Sequence, residues 1–260
     1  MAEEKIAVIT GASGGVGRET ALLFARAGYA VVLLARNKDK LHRVANLIAE
    51  MRHKADVCPV DIGQADQVHN VFTAILARYG RIDVLINCAG FGKFEFADQT
   101  DGPVTEAMFR VNVVGLIACI REVLPSMIRQ KKGHIVNVAS IAGKLATPKS
   151  SVYAATKSAV IGYSNGLRLE VAGKGITVTV VNPGPIRTSF FAIADPAGTY
   201  RANVDRFMIT PQYVAKKIFQ AVVKGKREVN LPPYMGFGAK LYQLFPAAFE
   251  KIGGHWLRMK

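Results

Sequence analysis

Short apolar runs alternate along the chain with stretches whose apolar residues recur every three or four positions, from residue 5 to residue 231. The run Lys5-Ile-Ala-Val-Ile-Thr10 is of the first kind. An uninterrupted apolar run has no side fit for water, as expected of a parallel strand buried between two layers of helix. Strands of this type are predicted over 5–10, 30–35, 56–60, 82–87, 134–139, 177–182 and 228–231. Helical spacing predicts helices over 15–27, 38–51, 64–79, 104–130, 151–172 and 212–223, the first stopping at Gly28. Repeated strand-helix units give an α/β fold, a doubly wound parallel sheet with helices on both faces, in a single domain. Ligands of such sheets bind at the C-terminal ends of the strands. The alternation stops near residue 230, so the chain divides into a domain over 1–230 and a basic amphipathic extension over 231–260.

Composition narrows the class. Half of the 260 residues are hydrophobic, with no low-complexity run and no linker-like stretch inside the domain. The acidic start Met1-Ala-Glu-Glu-Lys5 does not resemble a signal peptide. No window reads as the ~18 apolar residues of a membrane span, so a cytoplasmic protein is expected. Cys58, Cys88 and Cys119 are far apart, and the five histidines make no metal-like spacing with them; reduced thiols and no metal are expected. A net charge of +15 and a pI near 9.9 favour anionic partners. The chain has no basic arm, no basic-aromatic ladder and no finger spacing, so nucleic acid is not expected; a phosphorylated cofactor or an anionic lipid surface fits better.

Two local patterns carry chemistry. Between the first strand and first helix stands Gly11-Ala-Ser13-Gly14-Gly15-Val16-Gly17. Glycines there let the backbone turn sharply and approach a pyrophosphate, which rests on the amides of the following helix. The motif follows a strand, opens a helix and precedes a second strand, as a dinucleotide site of a Rossmann-like sheet requires; otherwise it is a tight strand-helix turn. The second pattern is Tyr153-Ala-Ala-Thr-Lys157, whose two polar ends lie one helical turn apart on one face. Moving a tyrosine from a pKa near 10 to about 7 means favouring the phenolate by roughly 4 kcal/mol, which a desolvated lysine can supply. The alternative is a solvated tyrosine over a lysine stem.

With these pieces in order, the chain resembles the short-chain dehydrogenase/reductase family to about residue 230. The resemblance rests on Thr10-Gly-Ala-Ser-Gly-Gly-Val-Gly17, Asp61-Ile62, Asn87-Cys-Ala-Gly90, Asn112, Ser140, Tyr153-Ala-Ala-Thr-Lys157 and Asn182-Pro-Gly-Pro-Ile-Arg-Thr188. One departure is Cys88, where the family usually carries a second asparagine. The resemblance implies that Tyr153 is the general acid or base, that Lys157 lowers its pKa and holds the nicotinamide ribose, and that Ser140 donates to the substrate oxygen. It implies that Asn112 anchors a water leading from Lys157 to solvent, although a satisfied structural amide is equally consistent with its helix. Asp61 bonds the adenine in this scheme, with Ile62 beside it, unless it is an ordinary strand-ending residue. Asn87, Ala89 and Gly90 pass beside the adenosine ribose, and Pro183 and Gly184 break the chain so that Ile186 and Thr188 reach the nicotinamide carboxamide.

The end of the second strand bears on cofactor choice. An acid there bonds the ribose of NAD and repels a 2′-phosphate. Ala35 stands at that position and Arg36 follows, with Ser13 and Asn37 able to add hydrogen bonds, so NADP (NADPH) is the expected cofactor. A substrate lid is expected over 189–210, where Phe190, Phe191, Ile193, Tyr200 and Phe207 suggest an apolar substrate or the core of a small helix pair. In the extension, Tyr234, Phe237, Leu241, Leu244, Phe245, Phe249 and Ile252 recur at mostly three- and four-residue intervals, with Lys240, Lys251, Arg258 and Lys260 among or after them. That segment packs on its domain or on a partner subunit, closes over the substrate pocket, or makes weak peripheral contact with an anionic membrane. The expected protein is thus an NADP(H)-dependent oxidoreductase interconverting a small-molecule carbonyl and a secondary alcohol, as a homo-oligomeric dimer or tetramer. A non-catalytic NADP-binding redox sensor or scaffold is the alternative.

Overall fold

The computed structural model describes residues 4–251. Within them the strands are β1 (Ile6–Thr10), β2 (Ala30–Ala35), β3 (Ala55–Pro59), β4 (Val84–Asn87), β5 (Gly133–Val138), β6 (Ile176–Pro183) and β7 (Glu228–Leu231). They form one sheet in the order β3-β2-β1-β4-β5-β6-β7, and every neighbouring pair is parallel. Strand order reverses between β1 and β4, which opens a crevice at their C-terminal ends. The predicted strands are all present; β2 and β7 have the expected bounds and the others have ends shifted by one or two residues. Just before β4, Asp83 is bound by main chain and side chain alike: its N–H donates to the Ile6 carbonyl at 3.0 Å and its carboxylate accepts the Ile6 N–H at 2.9 Å.

Alternation along the apolar runs feeds two cores. Ile6, Val8, Val32 and Leu34 point to one face of the sheet, while Ala7, Ile9, Val31 and Leu33 point to the other. On the first face α3 (Ala65–Tyr79), α5 (Leu116–Gln130) and α6 (Ser151–Glu170) supply Phe72, Ile75, Ile120, Val123, Val160 and Leu167. On the second, α1 (Gly15–Arg26), α2 (Lys38–Glu50) and α9 (Pro211–Lys224) supply Phe24, Leu41, Val44, Ile48, Val214 and Ile218. Apolar side chains on both faces explain why these strands read as unbroken runs.

The predicted helix over 104–130 is a helical run of three parts. It comprises α4 (Gly102–Phe109), one π-helical turn (Arg110–Gly115) and α5. Asp101 caps it, its carboxylate accepting the Val104 N–H at 2.9 Å. With a mean hydropathy of 1.7, the run is long and apolar enough to cross a membrane, against the expectation that no stretch qualifies. Leu116, Cys119, Ile120, Val123 and Met127 are buried in the first core, which accounts for the apolar composition.

Beyond β6 the segment expected as a lid forms α7 (Phe190–Ala194) and α8 (Thr199–Val204), the small helix pair of the alternative reading. The extension begins with α10 (Pro233–Leu244), which buries Ala239 and leaves Tyr234, Phe237, Leu241 and Leu244 exposed. Ile252, Arg258 and Lys260, named with the amphipathic pattern, lie outside the described residues.

Candidate active site

A cleft of about 1020 Å³ runs along the C-terminal ends of the central strands. One end is made of backbone. Gly11 has φ +68, and a side chain there would place its Cβ 2.9 Å from Ala89 Cα, so the turn after β1 lies directly on the turn after β4. Thr10 Oγ1 joins the same two turns, accepting the N–H groups of Cys88 at 3.1 Å and Ala89 at 3.0 Å. Gly14 is the N-cap of α1 and supplies no side-chain cap. The first amides of α1 therefore face the cleft with no side chain over them, beside Ser13, Gly15, Val16 and Gly17 in the cleft wall. A pyrophosphate fits this arrangement, since helix N-terminal amides attract and bond anions. Cys88, the departure from the family pattern, is an enclosed thiol whose pKa burial pushes up to about 12, so it remains protonated.

Beside the ends of β2 and β3, Asp61 and Ile62 line the cleft. The Asp61 carboxylate accepts the Gly63 N–H at 2.9 Å, the strand-ending role that its position also allows. Ala35 closes β2 and Arg36 follows it, exposed in the cleft wall and without an ion pair among the described residues. Asn37 is the N-cap of α2: its Oδ1 accepts the Lys40 N–H at 2.8 Å, which leaves its Nδ2 as the group free to donate. Sequence reasoning missed Lys40 itself, and a side recess of about 410 Å³ lined by Ser13, Arg18, Lys40 and Arg43. Lys40 and Arg43 stand three apart on α2, a spacing that would have placed both cations on one helix face.

The reacting groups converge where β5 ends. Ser140 lies just past that strand; its hydroxyl donates to the Pro183 carbonyl at 3.3 Å, accepts the Ala142 N–H at 3.1 Å and bonds the Tyr153 hydroxyl. Tyr153 and Lys157 extend from the start of α6, with the Lys157 Nζ 5.7 Å from the Tyr153 ring centre and donating to the Val138 carbonyl at 3.0 Å. Burial strips water from the ammonium and lowers the Lys157 pKa to about 8. The same enclosure raises the Tyr153 pKa, and the Ser140 bond offsets only part of the rise. The direction is opposite to the expected fall toward 7. The lysine is adjacent as predicted, but desolvation of the phenolate outweighs what its neighbours return.

Two expected site residues sit behind the cleft wall rather than in it. Asn112, on the π-helical turn, accepts the Phe91 N–H at 3.0 Å and donates to the Phe91 carbonyl at 2.8 Å and to Thr156 Oγ1 at 3.1 Å. The amide clamps the turn after β4, which is the structural reading. It also stays near the chemistry: a Cβ on Gly90 would lie 2.9 Å from Asn112 Oδ1 and 3.5 Å from Lys157 Nζ. Asn87 is buried and donates to Asn137 Oδ1 at 2.9 Å, and Asn137 donates in turn to Ser164 Oγ at 2.9 Å. It ties β4 to β5 and α6 instead of touching a ribose. Ala89, Gly90, Pro183, Gly184, Ile186 and Thr188 line the cleft as expected.

The other end of the cleft is made of side chains. Phe94 meets Tyr153 edge-on at 5.6 Å, stacks on Tyr200 at 4.3 Å, and lies within 6.1 Å of Phe190 and 5.9 Å of Phe191. Ile193 stands on the exposed rim. Phe207 is turned away under the Arg206 guanidinium, 4.7 Å from its ring, and is no part of the wall. Phe94, Thr147 and Met235 belong to the wall and carry no motif by which the sequence would have shown them.

Comparison with known proteins agrees with this geometry. The short chain dehydrogenase family matches residues 5–196. An uncharacterized oxidoreductase of Staphylococcus aureus is 36% identical over 225 residues, covering 86% of this chain and 93% of its own. The crystal structure of a short-chain dehydrogenase from Streptomyces avermitilis is similar with a TM-score of 0.84 at 28% identity, covering 98% of both chains. A short chain dehydrogenase/reductase from Burkholderia phymatum in complex with NAD has a TM-score of 0.87 at 25% identity, covering 95% of this chain and 96% of its own. A metagenomic short-chain oxidoreductase in complex with NADP has a TM-score of 0.75 at 29% identity, covering 87% and 96%. Similar structures thus hold either nucleotide. This chain, with its seven-stranded parallel sheet and its Ser140, Tyr153 and Lys157 at one point of the cleft, belongs to the short-chain dehydrogenase/reductase family of oxidoreductases.

Proposed function

We propose that this oxidoreductase interconverts a carbonyl and a secondary alcohol with NADP(H), on an apolar small molecule. The observation that carries the reading is the meeting of Ser140, Tyr153 and Lys157 at the junction between the glycine-lined and aromatic ends of the cleft. Bound there, a nicotinamide supplies or takes the hydride at its C4. Tyr153, held protonated by its raised pKa, gives its proton to the carbonyl oxygen during reduction. Ser140 donates to the same oxygen as it gains charge, an effect worth about 2.7–4 kcal/mol for one such donor. Lys157 spends one N–H on the Val138 carbonyl and has two more for a ribose. Its ammonium steadies the phenolate that Tyr153 becomes. The ring cluster around Phe94 keeps water from the reacting oxygen.

NADP is favoured over NAD because no carboxylate stands at Ala35, while Arg36, Ser13, the Asn37 amide and Lys40 surround the place of a 2′-phosphate. Charge-assisted bonds are worth about 1.5–3 kcal/mol each, so the preference is at least about tenfold. The protein acts in the cytoplasm as a homo-oligomer. The outer face of α10, with Phe237 and Leu244 exposed beside Lys240, makes weak contact with an anionic membrane. Oxidation of NADPH and NADH against a panel of ketones and aldehydes tests the reading. No turnover of any carbonyl would return the chain to the class of redox sensor or scaffold.

A further inference from the structure

The aromatic end of the cleft contains two hydroxyls that the chemistry above does not use. Tyr200 and Thr147 both line the cleft, with the Tyr200 hydroxyl 3.1 Å from Thr147 Oγ1. The Tyr200 ring lies nearly parallel to Phe94, at 4.3 Å and 23°, and Phe94 meets Tyr153 edge-on at 5.6 Å. A single ring therefore stands between this hydroxyl pair and the proton donor.

Counting protons shows what the pair can still do. Ser150 spends its own hydroxyl proton on the Thr147 carbonyl at 2.6 Å and accepts the Thr147 N–H at 3.1 Å. Thr147 has one hydroxyl proton and two neighbours for it, Ser150 Oγ at 3.2 Å and the Tyr200 oxygen at 3.1 Å. If the proton goes to Ser150, Tyr200 donates to Thr147 and keeps a lone pair for a ligand. If it goes to Tyr200, the phenol keeps its proton for a ligand. Either way Tyr200 retains one hydrogen bond to offer, in a wall otherwise built from Phe94, Phe190 and Phe191. A polar group that enters an apolar wall loses its water, so a partner at this one place discriminates strongly between ligands that carry an oxygen and ligands that do not.

We propose that Thr147 and Tyr200 form a second polar anchor, which takes a hydroxyl or carbonyl oxygen that the substrate carries about one ring away from its reacting carbon. The proposal rests on the carbonyl-alcohol reading and sharpens it. The substrate class becomes a flat, ring-containing ketone or alcohol with a second oxygen substituent, as in hydroxyaryl ketones or fused-ring diketones. Simple alkyl ketones leave the remaining hydrogen bond of Tyr200 unmade. The competing role for the pair is to tie the loop before α6 to the lid helix α8.

Titration calorimetry of the full chain with 2-naphthol and with naphthalene, in the presence of NADP, separates the two roles. The anchor gives 2-naphthol an affinity roughly tenfold above that of naphthalene, the worth of one net hydrogen bond. Tyr200→Phe, which keeps the ring stack, brings the ratio to about one, and Thr147→Val lowers it part of the way. Equal affinities in the wild type, or a ratio that survives Tyr200→Phe, would overturn the proposal. Binding needs no turnover, so failure of the anchor stays distinct from failure of the carbonyl reading. The latter is read separately from the reduction of 2-tetralone.

Discussion

The two ends of the cleft are built from different material. At the end beside the glycine turn the wall is largely main chain, with Arg36, Asn37, Lys40 and Asp61 at its edge: Gly11 is pressed on Ala89, Gly14 opens α1 without a side-chain cap, and Gly90 admits Asn112 and Lys157. At the substrate end they are side chains drawn from distant segments, with Phe94, Thr147, Phe190, Tyr200 and Met235 meeting across more than a hundred residues of sequence. A main-chain site accepts what every dinucleotide shares, and its tolerances are set by the absence of a Cβ. A side-chain site can be altered one residue at a time without disturbing the other end. The difference predicts that substitutions separate cofactor binding from catalysis and substrate choice.

Tyr153→Phe, at the junction, tests that separation hardest. Turnover should fall by about 10³-fold or more while NADPH affinity, measured by fluorescence titration, stays within about twofold, because the proton is lost and little volume changes. Ser140→Ala should cost about 10²- to 10³-fold in kcat. A Tyr153→Phe enzyme that keeps a tenth of its rate would show that another group delivers the proton. At the nucleotide end, Ala35→Asp combined with Arg36→Ile should reverse a preference for NADP of ten- to a hundredfold, read as the ratio of kcat/KM for the two cofactors. A wild type that prefers NAD would break the assignment.

A smaller effect concerns pH. Lys157 has its pKa depressed to about 8, so it carries its charge below that pH and loses it above. In the direction of reduction, kcat/KM should be level below pH 8 and then drop about tenfold per unit, since Tyr153 is still protonated there. A limb that begins only near pH 10 would mean that Lys157 is better solvated than its surroundings indicate. The smallest effect belongs to the tail. Sedimentation with vesicles containing anionic lipid should fall a fewfold when Phe237 and Leu244 are both changed to serine, with the rate on a water-soluble ketone unaltered. Equal sedimentation of both proteins removes the membrane from the account.

The contrast between the two ends also explains what the sequence could tell. Ile6–Thr10 and Ala30–Ala35 read as strands because both faces are buried, and the glycine turn read as a nucleotide site because its constraints are local to seven residues. Tyr153 and Lys157 were visible through helical spacing, and Ser140 only through the family pattern. Phe94 was not visible: it sits in a loop, and its partners are Tyr153 and Tyr200. The tie from the Asn87 amide N–H to Asn137 could not be read, because that partner is fifty residues away in the neighbouring strand. Lys157 was expected to draw the Tyr153 pKa down, whereas the balance depends on how much water each group loses, a quantity set by packing.

The π-helical turn at Arg110–Gly115 holds one residue more than an ordinary turn of the same rise. A widened turn absorbs the hundred degrees by which an extra residue would rotate everything after it, and so Leu116, Ile120 and Val123 keep their places in the core. The surplus can be removed as easily as it is held. Deleting one residue from this turn would leave a longer, more regular helix with the same buried stripe, and the protein should fold but melt lower for the three hydrogen bonds of Asn112 that are lost. What disappears is the bulge that aims Asn112 at Phe91, and with it the grip on the turn after β4 that carries Gly90 past Lys157. A more perfect helix would here hold a looser turn beside Lys157.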